Sequence, residues 1–495
     1  MPNQTYLNAI QTTRNGSRGI ITATRYELIE EFSFGKKIVE KYLNYGTENQ
    51  RTQTYQYYTD MADYGYGKLS QKIDYDGKWT KYEYDVSGRV VKEITPFGDA
   101  TISSPENQCQ IITYDYTKLD NSETADSPDF PRWRTKITTI CGQETAREFR
   151  QFYSNKEVSI VAAKPNAAFA DESNRVRTTT FSNYYDQFCG ENIQRETKIE
   201  NPDGTVVEVS YVDSSYYNSD PSQTVYTTQK TSVKKFQGNN ISKEVELKNH
   251  FGTIESYRRY DLTGDAELLV EGYDQTVDRH GRPLVKTDVD GLITSYEYYQ
   301  EQVTDGTYTN SILFDHVKTI KPDGSILIEA YDNWKNKIFE LYDGIKTTYH
   351  YDAYDNAVET IITGRNGGTL TTSTEYNADN VRTSETDANG NVTSYTYGPC
   401  WETTTDALNN VFKNEYFLDG RLKNVKVNDA IKDYYTYEII GNELVETKHV
   451  SETEWEKTTT AFDGNIRQKN YPDGYVQSFV LARPGQRRGS HPPAE

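Results

Sequence analysis

One short pattern recurs along this 495-residue chain and constrains its fold more than any other feature: D-x-[DN]-G-x-x-T-x-Y-x-Y, often followed by D-x-x-G-R. The clearest copies are DYDGKWTKYEYDVSGRVVKEITPFGD (Asp74 to Asp99), DVDGLITSYEYY (Asp288 to Tyr299) and DANGNVTSYTYG (Asp387 to Gly398). DALNNVFKNEYFLDGRL (Asp406 to Leu422) is a degraded fourth. The Asp-Gly or Asn-Gly dipeptide, ending at Gly77, Gly291 or Gly390, supplies the positive φ angles that a tight hairpin turn requires. The alternation that follows makes a strand with Tyr82 and Tyr84, Tyr296 and Tyr298, or Tyr395 and Tyr397 on one face. The Tyr84-Asp85 step returns at Tyr351-Asp352, and the Gly-Arg step recurs at Gly88-Arg89, Gly281-Arg282 and Gly420-Arg421.

Similar turns without the full unit occur at Pro202-Asp203-Gly204, Pro322-Asp323-Gly324 and Pro472-Asp473-Gly474, where Pro presets φ at the first turn position. From Gly77 to Gly98, Gly324 to Gly344, Gly344 to Gly364, Gly368 to Gly390 and Gly390 to Asn410 the spacing is 20 to 22 residues, the length of two short strands and two turns. Such a unit cannot bury its apolar face alone, so hairpins must pair edge to edge. The expected fold is all-β: an array of hairpins forming a long coiling sheet or part of a hollow β-shell. Along the chain this reads as initial strands over 1–60, one repeat copy over 61–106, a divergent β region with loop insertions over 107–250, the regular array over 251–480 and a disordered tail over 481–495. The insertions are LDNSETADSPDFPRW (Leu119 to Trp133) and AAKPNAAFADESN (Ala162 to Asn174). The tail, rich in Arg, Pro and Gly, looks foreign to the array.

Composition agrees. With 42 Tyr against 17 Phe and 2 Met in a chain only 35% hydrophobic, tyrosine is expected to stand in for aliphatic residues in the core. A 13% aromatic content argues against wholesale disorder. The net charge of −20 repels phosphates and anionic lipid, so nucleic acid is not an expected partner. No apolar run is long enough to span a bilayer, and the first residues lack the apolar core of a signal peptide. Cys109, Cys141, Cys189 and Cys400 are widely spaced, with no CxxC pair, which fits small buried thiols; a Cys109 to Cys141 disulfide stays open for an oxidising compartment.

The chain offers little chemistry for catalysis. It has no GxSxG elbow, HExxH motif or Gly-rich phosphate loop, and His250, His280 and His350 have no locatable partners. The carboxylate pairs Asp74 and Asp76, or Asp288 and Asp290, recur at turns, where Asp accepts backbone hydrogen bonds, so structure explains them better than glycoside chemistry or calcium binding. The expectation is a non-enzyme with no catalytic, cofactor or metal site.

YEYDVSGRVVKEITPFGD and the three DxxGxxTxYxY copies closely resemble the Rhs/YD-repeat family, known from bacterial polymorphic toxins, the C components of insecticidal Tc toxin complexes and animal teneurins. The resemblance covers about two thirds of the chain and rests on the turn Gly, the paired Tyr, the Tyr-Asp step and the Gly-Arg step recurring together. It implies a hollow β-shell around a toxic or unfolded C-terminal or separately encoded cargo, with other shell components as partners and a full-length parent that is secreted or at the cell surface. The Asp-Pro-x-Gly closing core and its self-cleaving aspartate site have no counterpart before Glu495, so the expectation is a fragment supplying wall. Two other readings stay open: a surface adhesion or carbohydrate-binding module with glycan partners, and the decayed remnant of an Rhs gene.

Overall fold

The computed structural model describes residues 5–16, 19–43, 45–47, 50–127, 129–186, 190–217, 224–302, 313–352, 354–377 and 380–479. Cys189 and the expected tail at 481–495 lie outside them. Apart from one 3-10 turn at Glu106–Gln108, the regular structure of the described residues is entirely β. Thirty-six strands, β1 (Thr5–Gly16) to β36 (Val476–Ser478) in chain order, form one open sheet. Each pairs antiparallel with the strand before it and the strand after it. The long coiling sheet of hairpins expected from the sequence is therefore what the chain forms. Among the described residues no helix is long and apolar enough to cross a membrane.

The turns depart from expectation in one respect. In the repeat units the Asp or Asn before the turn glycine keeps a negative φ, and only the glycine is left-handed. Between β5 (Leu69–Ile73) and β6 (Trp79–Tyr84), the Asp74 amide donates to the Lys78 carbonyl and the Gly77 amide to the Asp74 carbonyl. This is a type I turn followed by a left-handed bulge residue, which absorbs the right-handed twist of the flanking strands as a primed turn would. The same pair of bonds closes the turns at Gly88, Gly281, Gly291, Gly390 and Gly420. Two-residue turns with both residues left-handed occur instead at Cys141-Gly142, Gln237-Gly238, Asp343-Gly344, Asn428-Asp429 and Gly441-Asn442. Near Gly364 and Gly368 the left-handed residue is Gly367 between them.

Tyrosine does not fill the core. Among the described residues no tyrosine is fully buried, and most of the buried apolar side chains fall into three small clusters, around Trp79, Phe149 and Ala330. The register pairs Tyr82 with Glu93 but Lys81 with Ile94, so Trp79, Ile94 and Cys109 lie on the face opposite Tyr82 and Tyr84. Aliphatic and indole groups accept complete burial; a phenol needs a partner for its hydroxyl, and tyrosines half-buried on the other face find one.

The sheet winds back alongside itself. Cys400 Sγ lies 3.0 Å from the Asp76 carbonyl, bringing the turn between β28 (Val392–Gly398) and β29 (Trp401–Thr405) onto the β5/β6 turn. Between β7 (Val90–Pro96) and β8 (Cys109–Asp115), the Gly98 amide donates to Asp419 at 2.5 Å, from the turn between β30 (Val411–Tyr416) and β31 (Leu422–Val427). Asn442, between β32 (Ala430–Ile440) and β33 (Glu443–His449), donates to Gln143 and Glu144 where β9 (Thr135–Ile140) turns into β10 (Gln143–Phe152). Arg175, between β11 (Lys156–Val161) and the body of β12 (Arg175–Asp186), pairs at 3.1 Å with Asp463, between β34 (Trp455–Thr460) and β35 (Ile466–Asn470). Each contact joins turns 23 strands apart, so 23 strands make one winding and the chain makes about one and a half.

The accessible surface is 29357 Å². A compact protein of 56.9 kDa exposes about 19,000 Å². The excess is that of a single layer wetted on both faces.

Candidate functional site

Several of the residues singled out from the sequence converge on one device, repeated at the ends of several hairpins. Tyr84 is the last residue of β6 and donates its hydroxyl to the Leu69 carbonyl at 2.8 Å, on the neighbouring strand β5. Tyr351 does the same to Lys337 (2.7 Å), Tyr437 to Leu422 (3.1 Å) and Tyr116 to Val90 (2.9 Å). The next residue, Asp85, opens the turn. Its Oδ1 accepts the Ser87 and Arg89 amides, both at 2.9 Å, and its Oδ2 the Arg89 Nε at 2.7 Å. The Tyr-Asp step is thus a strand clamp followed by a turn cap.

Arginine links each cap to the next hairpin. Arg89 pairs with Asp85 at 2.6 Å and lies 4.4 Å from the Tyr116 ring centroid. Arg282 pairs with Asp278 at 2.6 Å and lies 4.2 Å from Tyr298. Arg421 pairs with Asp419 and lies 4.5 Å from Tyr437, and it also covers Phe97 of the first winding at 4.0 Å. Asparagine takes the arginine position elsewhere: Asn356 donates to Asp352 (2.8 Å), Asn391 to Asp387 (2.8 Å) and Asn410 to Asp406 (2.9 Å). The signal D-x-x-x-[RN] finds all of these turns from sequence except that of Asp419 and Arg421, including the asparagine ones that a search for Gly-Arg misses.

Electrostatics follow from these bonds. Partial burial pushes the Asp85 carboxyl up, but the hydrogen bonds and charge of Arg89 outweigh it and hold the group below the usual carboxylate range. The Asn391 side chain holds Asp387 down in the same way. Glu415, bonded by Lys426, Asn424 and Lys413, falls to about 2. Burial, helped by neighbouring carboxylates and phenols, pushes Tyr84, Tyr114 and Tyr437 up from 10 to about 12. A raised folded-state value favours the protonated form, so the stability these phenols contribute is fully present below pH 10 and is lost as pH rises through about 12. Titration of tyrosinate absorbance should show these phenols ionising late and together with alkaline unfolding; ionisation near 10 in a protein that stays folded would contradict the clamp.

His280 lies in an exposed turn, His250 Nδ1 accepts the Tyr226 amide at 3.1 Å, and His350 is buried with Nε2 3.6 Å from Glu359. The described residues hold no group of three His, Cys, Asp or Glu side chains arranged to bind a metal ion. Cys109, Cys141 and Cys400 are free thiols. A groove of about 390 Å³ crosses β12, β14 (Thr205–Tyr217) and β15 (Thr224–Phe236). In it Arg195 stacks 3.4 Å from the Tyr184 ring centroid and bonds Asp213 at 3.0 Å, and Thr228 donates to Asp213 at 2.6 Å.

No family model and no curated protein matches the sequence. Among solved structures the chain is similar to TcdB2-TccC3 without its hypervariable C-terminal region, at 11% identity and a TM-score of 0.35, over 92% of this chain and 27% of that one. It is similar also to TcdB2-TccC3-TEV (12% identity, TM-score 0.35) and TcdB2-TccC3-Cdc42 (12%, 0.33), each over 93% of this chain and 28% of the other. The chain spans just over a quarter of the length of these proteins, and the relation is one of coarse fold.

Proposed function

We propose that this chain is a wall: a non-catalytic segment of an Rhs/YD-type β-shell that surrounds or delivers a polypeptide cargo. The observation that carries the reading is the 23-strand winding. At about 4.8 Å per strand the perimeter is about 110 Å and the diameter about 35 Å. Side chains fill the interior of a barrel of about eight strands but leave a space inside one this wide. The buried clusters fit this, since each is drawn from neighbouring hairpins or from the seam between windings, with no second sheet packed across the interior among the described residues. One face carries half-buried tyrosines, several with hydroxyls already bonded, as at Tyr84 and Tyr351, a surface that touches an unfolded chain without holding it tightly.

Electron microscopy of the purified chain tests this. Ring-shaped particles with an empty centre about 25 Å across are expected from the perimeter less the thickness of one sheet. Filled particles of the same mass would overturn it. A second reading, a glycan-binding module, is favoured by the Tyr184–Arg195–Asp213 groove alone, and a glycan array without hits would remove it.

A further inference from the structure

Two of the thiols stand opposite one another on neighbouring strands. The register of β8 and β9 pairs Gln110 with Ile140, so the next step along both strands sets Cys109 against Cys141. The Cys141 amide donates to the Cys109 carbonyl at 3.0 Å and fixes that step. Opposed residues of an antiparallel pair have Cα atoms about 4.5 to 5.5 Å apart, inside the range of about 4.4 to 6.8 Å that a disulfide spans. Among the described cysteines only these two are joined in this way, since Cys400 lies on the second winding with its Sγ on the Asp76 carbonyl.

The two thiols differ in access. Cys109 is 1% exposed among Trp79, Ile94 and Ala100, with its Sγ 3.5 Å from the Pro105 carbonyl. Cys141 is half-buried at the first position of the turn into β10, where a left-handed backbone leaves its thiol within the field of Arg421 from the second winding. Burial pushes both thiols up. Lys81 pulls Cys109 down and Arg421 pulls Cys141 down, while the Cys141 thiol is near enough to raise Cys109 further. Both therefore rest as thiols at neutral pH until an oxidant reaches the more accessible one.

We propose that Cys109 and Cys141 form a redox staple, closing into an intramolecular disulfide when the chain meets a small-molecule disulfide such as oxidised glutathione. The Cys141 thiolate attacks one glutathione sulfur, and the first glutathione leaves as a thiolate and takes up a proton. The Cys109 thiolate then attacks the Cys141 sulfur and expels the second glutathione in the same way. Each protein thiol has lost its proton, the protein is oxidised by two electrons, and the glutathione disulfide is reduced to two thiols. The staple closes the chain around the insertion at Leu119 to Trp133, which is otherwise held by Arg134 through Glu123 and Asp126. A cross-link restricts the unfolded chain, so the oxidised sheet should melt above the reduced one. The inference stands whether or not the sheet encloses a cargo.

Incubation of the whole chain with oxidised glutathione, followed by alkylation of free thiols and peptide mapping, tests this. A linked pair of peptides is expected, one containing Cys109 and the other Cys141, lighter by about 2 Da than the two thiol peptides together because two hydrogens have left. Dithiothreitol should reverse the link, and Cys189 and Cys400 should stay outside it. Thermal unfolding followed by circular dichroism should give a higher midpoint for the oxidised chain, and oxidation should recover part of the loss in Arg134→Ala. Cys141→Ser, a change at the more exposed member, should melt as the reduced wild type does and gain nothing from oxidation. Both thiols left free, a link from either one to Cys189 or Cys400, or glutathione retained on Cys141 overturns the proposal. A link without a higher midpoint overturns its role as a staple.

Discussion

Replacing Arg134 with alanine is expected to destabilise the chain by about 3 to 5 kcal/mol, the cost of leaving a buried charge without its partner. The Arg134 and Glu123 side chains are 1% and 0% exposed, and Arg134 Nε donates to Glu123 Oε2 at 2.5 Å. The rest of the guanidinium is used as well: Nη1 and Nη2 reach Asp126 at 3.1 and 3.2 Å, and Nη1 reaches the Arg132 carbonyl at 2.5 Å. Glu123 Oε1 accepts the Leu119 amide at 2.8 Å and the Asp120 amide at 3.1 Å, and Thr124 donates to the Phe152 carbonyl. The acidic insertion at Leu119 to Trp133 is therefore tied to the sheet through Arg134, which pairs with both Glu123 and Asp126, and is not a freely displayed loop. Because each hairpin contacts mainly its neighbours, the damage should begin locally. Proteolysis of Arg134→Ala should cut first in this insertion, at a lower temperature than in wild type. Replacing both partners by apolar residues, as in Glu123→Leu with Arg134→Met, should recover much of the loss, since no charge is then stranded. A single variant within about 1 kcal/mol of wild type would show that water reaches the pair.

The hairpins were legible in the sequence because their determinants are local. A left-handed position needs glycine or a short polar residue, an alternating strand needs period two, and both lie within about ten residues of each other. The same locality explains the Asp85 cap and its Arg89 partner, four residues apart. What the sequence does not display is anything that depends on winding. Asp76 and Cys400, or Gly98 and Asp419, meet across more than 300 residues, and nothing near either one marks the other. The role of tyrosine was misread for a related reason. Composition counts phenols as apolar, whereas placement depends on whether each hydroxyl finds a carbonyl, which requires the register of the neighbouring strand. The burial of Glu123 and Arg134 was hidden by an insertion whose composition is that of an exposed loop.

Phe462→Ala should separate the seam from the sheet. Phe462 enters from the second winding into a cluster otherwise made by the first: Phe149, Val158, Ile160, Ala162 and Ala167. Truncating a buried phenylalanine costs about 3 to 5 kcal/mol in lost transfer energy and cavity. Here part of that cost falls on the contact between windings, whose other members are partly exposed polar pairs of small individual worth, such as Arg175 with Asp463 and Lys423 with Asp99, and the half-buried tips Phe417 and Leu418 against Gly98 and Gly77. With the fully buried anchor gone, those contacts are expected to be too weak to hold the windings together. Hydrogen exchange reads this directly, because the Gly98 amide donates to Asp419 and the Asp419 amide to the Gly98 carbonyl across the seam. Both amides should exchange faster in Phe462→Ala, although Phe462 lies elsewhere along the seam. Ile338→Ala is the control: Ile338 is 3% exposed in a cluster with Phe314 and Ala330 drawn from one stretch of sheet. That variant should lose stability while the Gly98 and Asp419 amides stay protected. Equal protection in both variants would mean that the winding is held by sheet curvature alone, each hairpin's twist fixing where the next one lies, and that the turns meet at the seam without binding there.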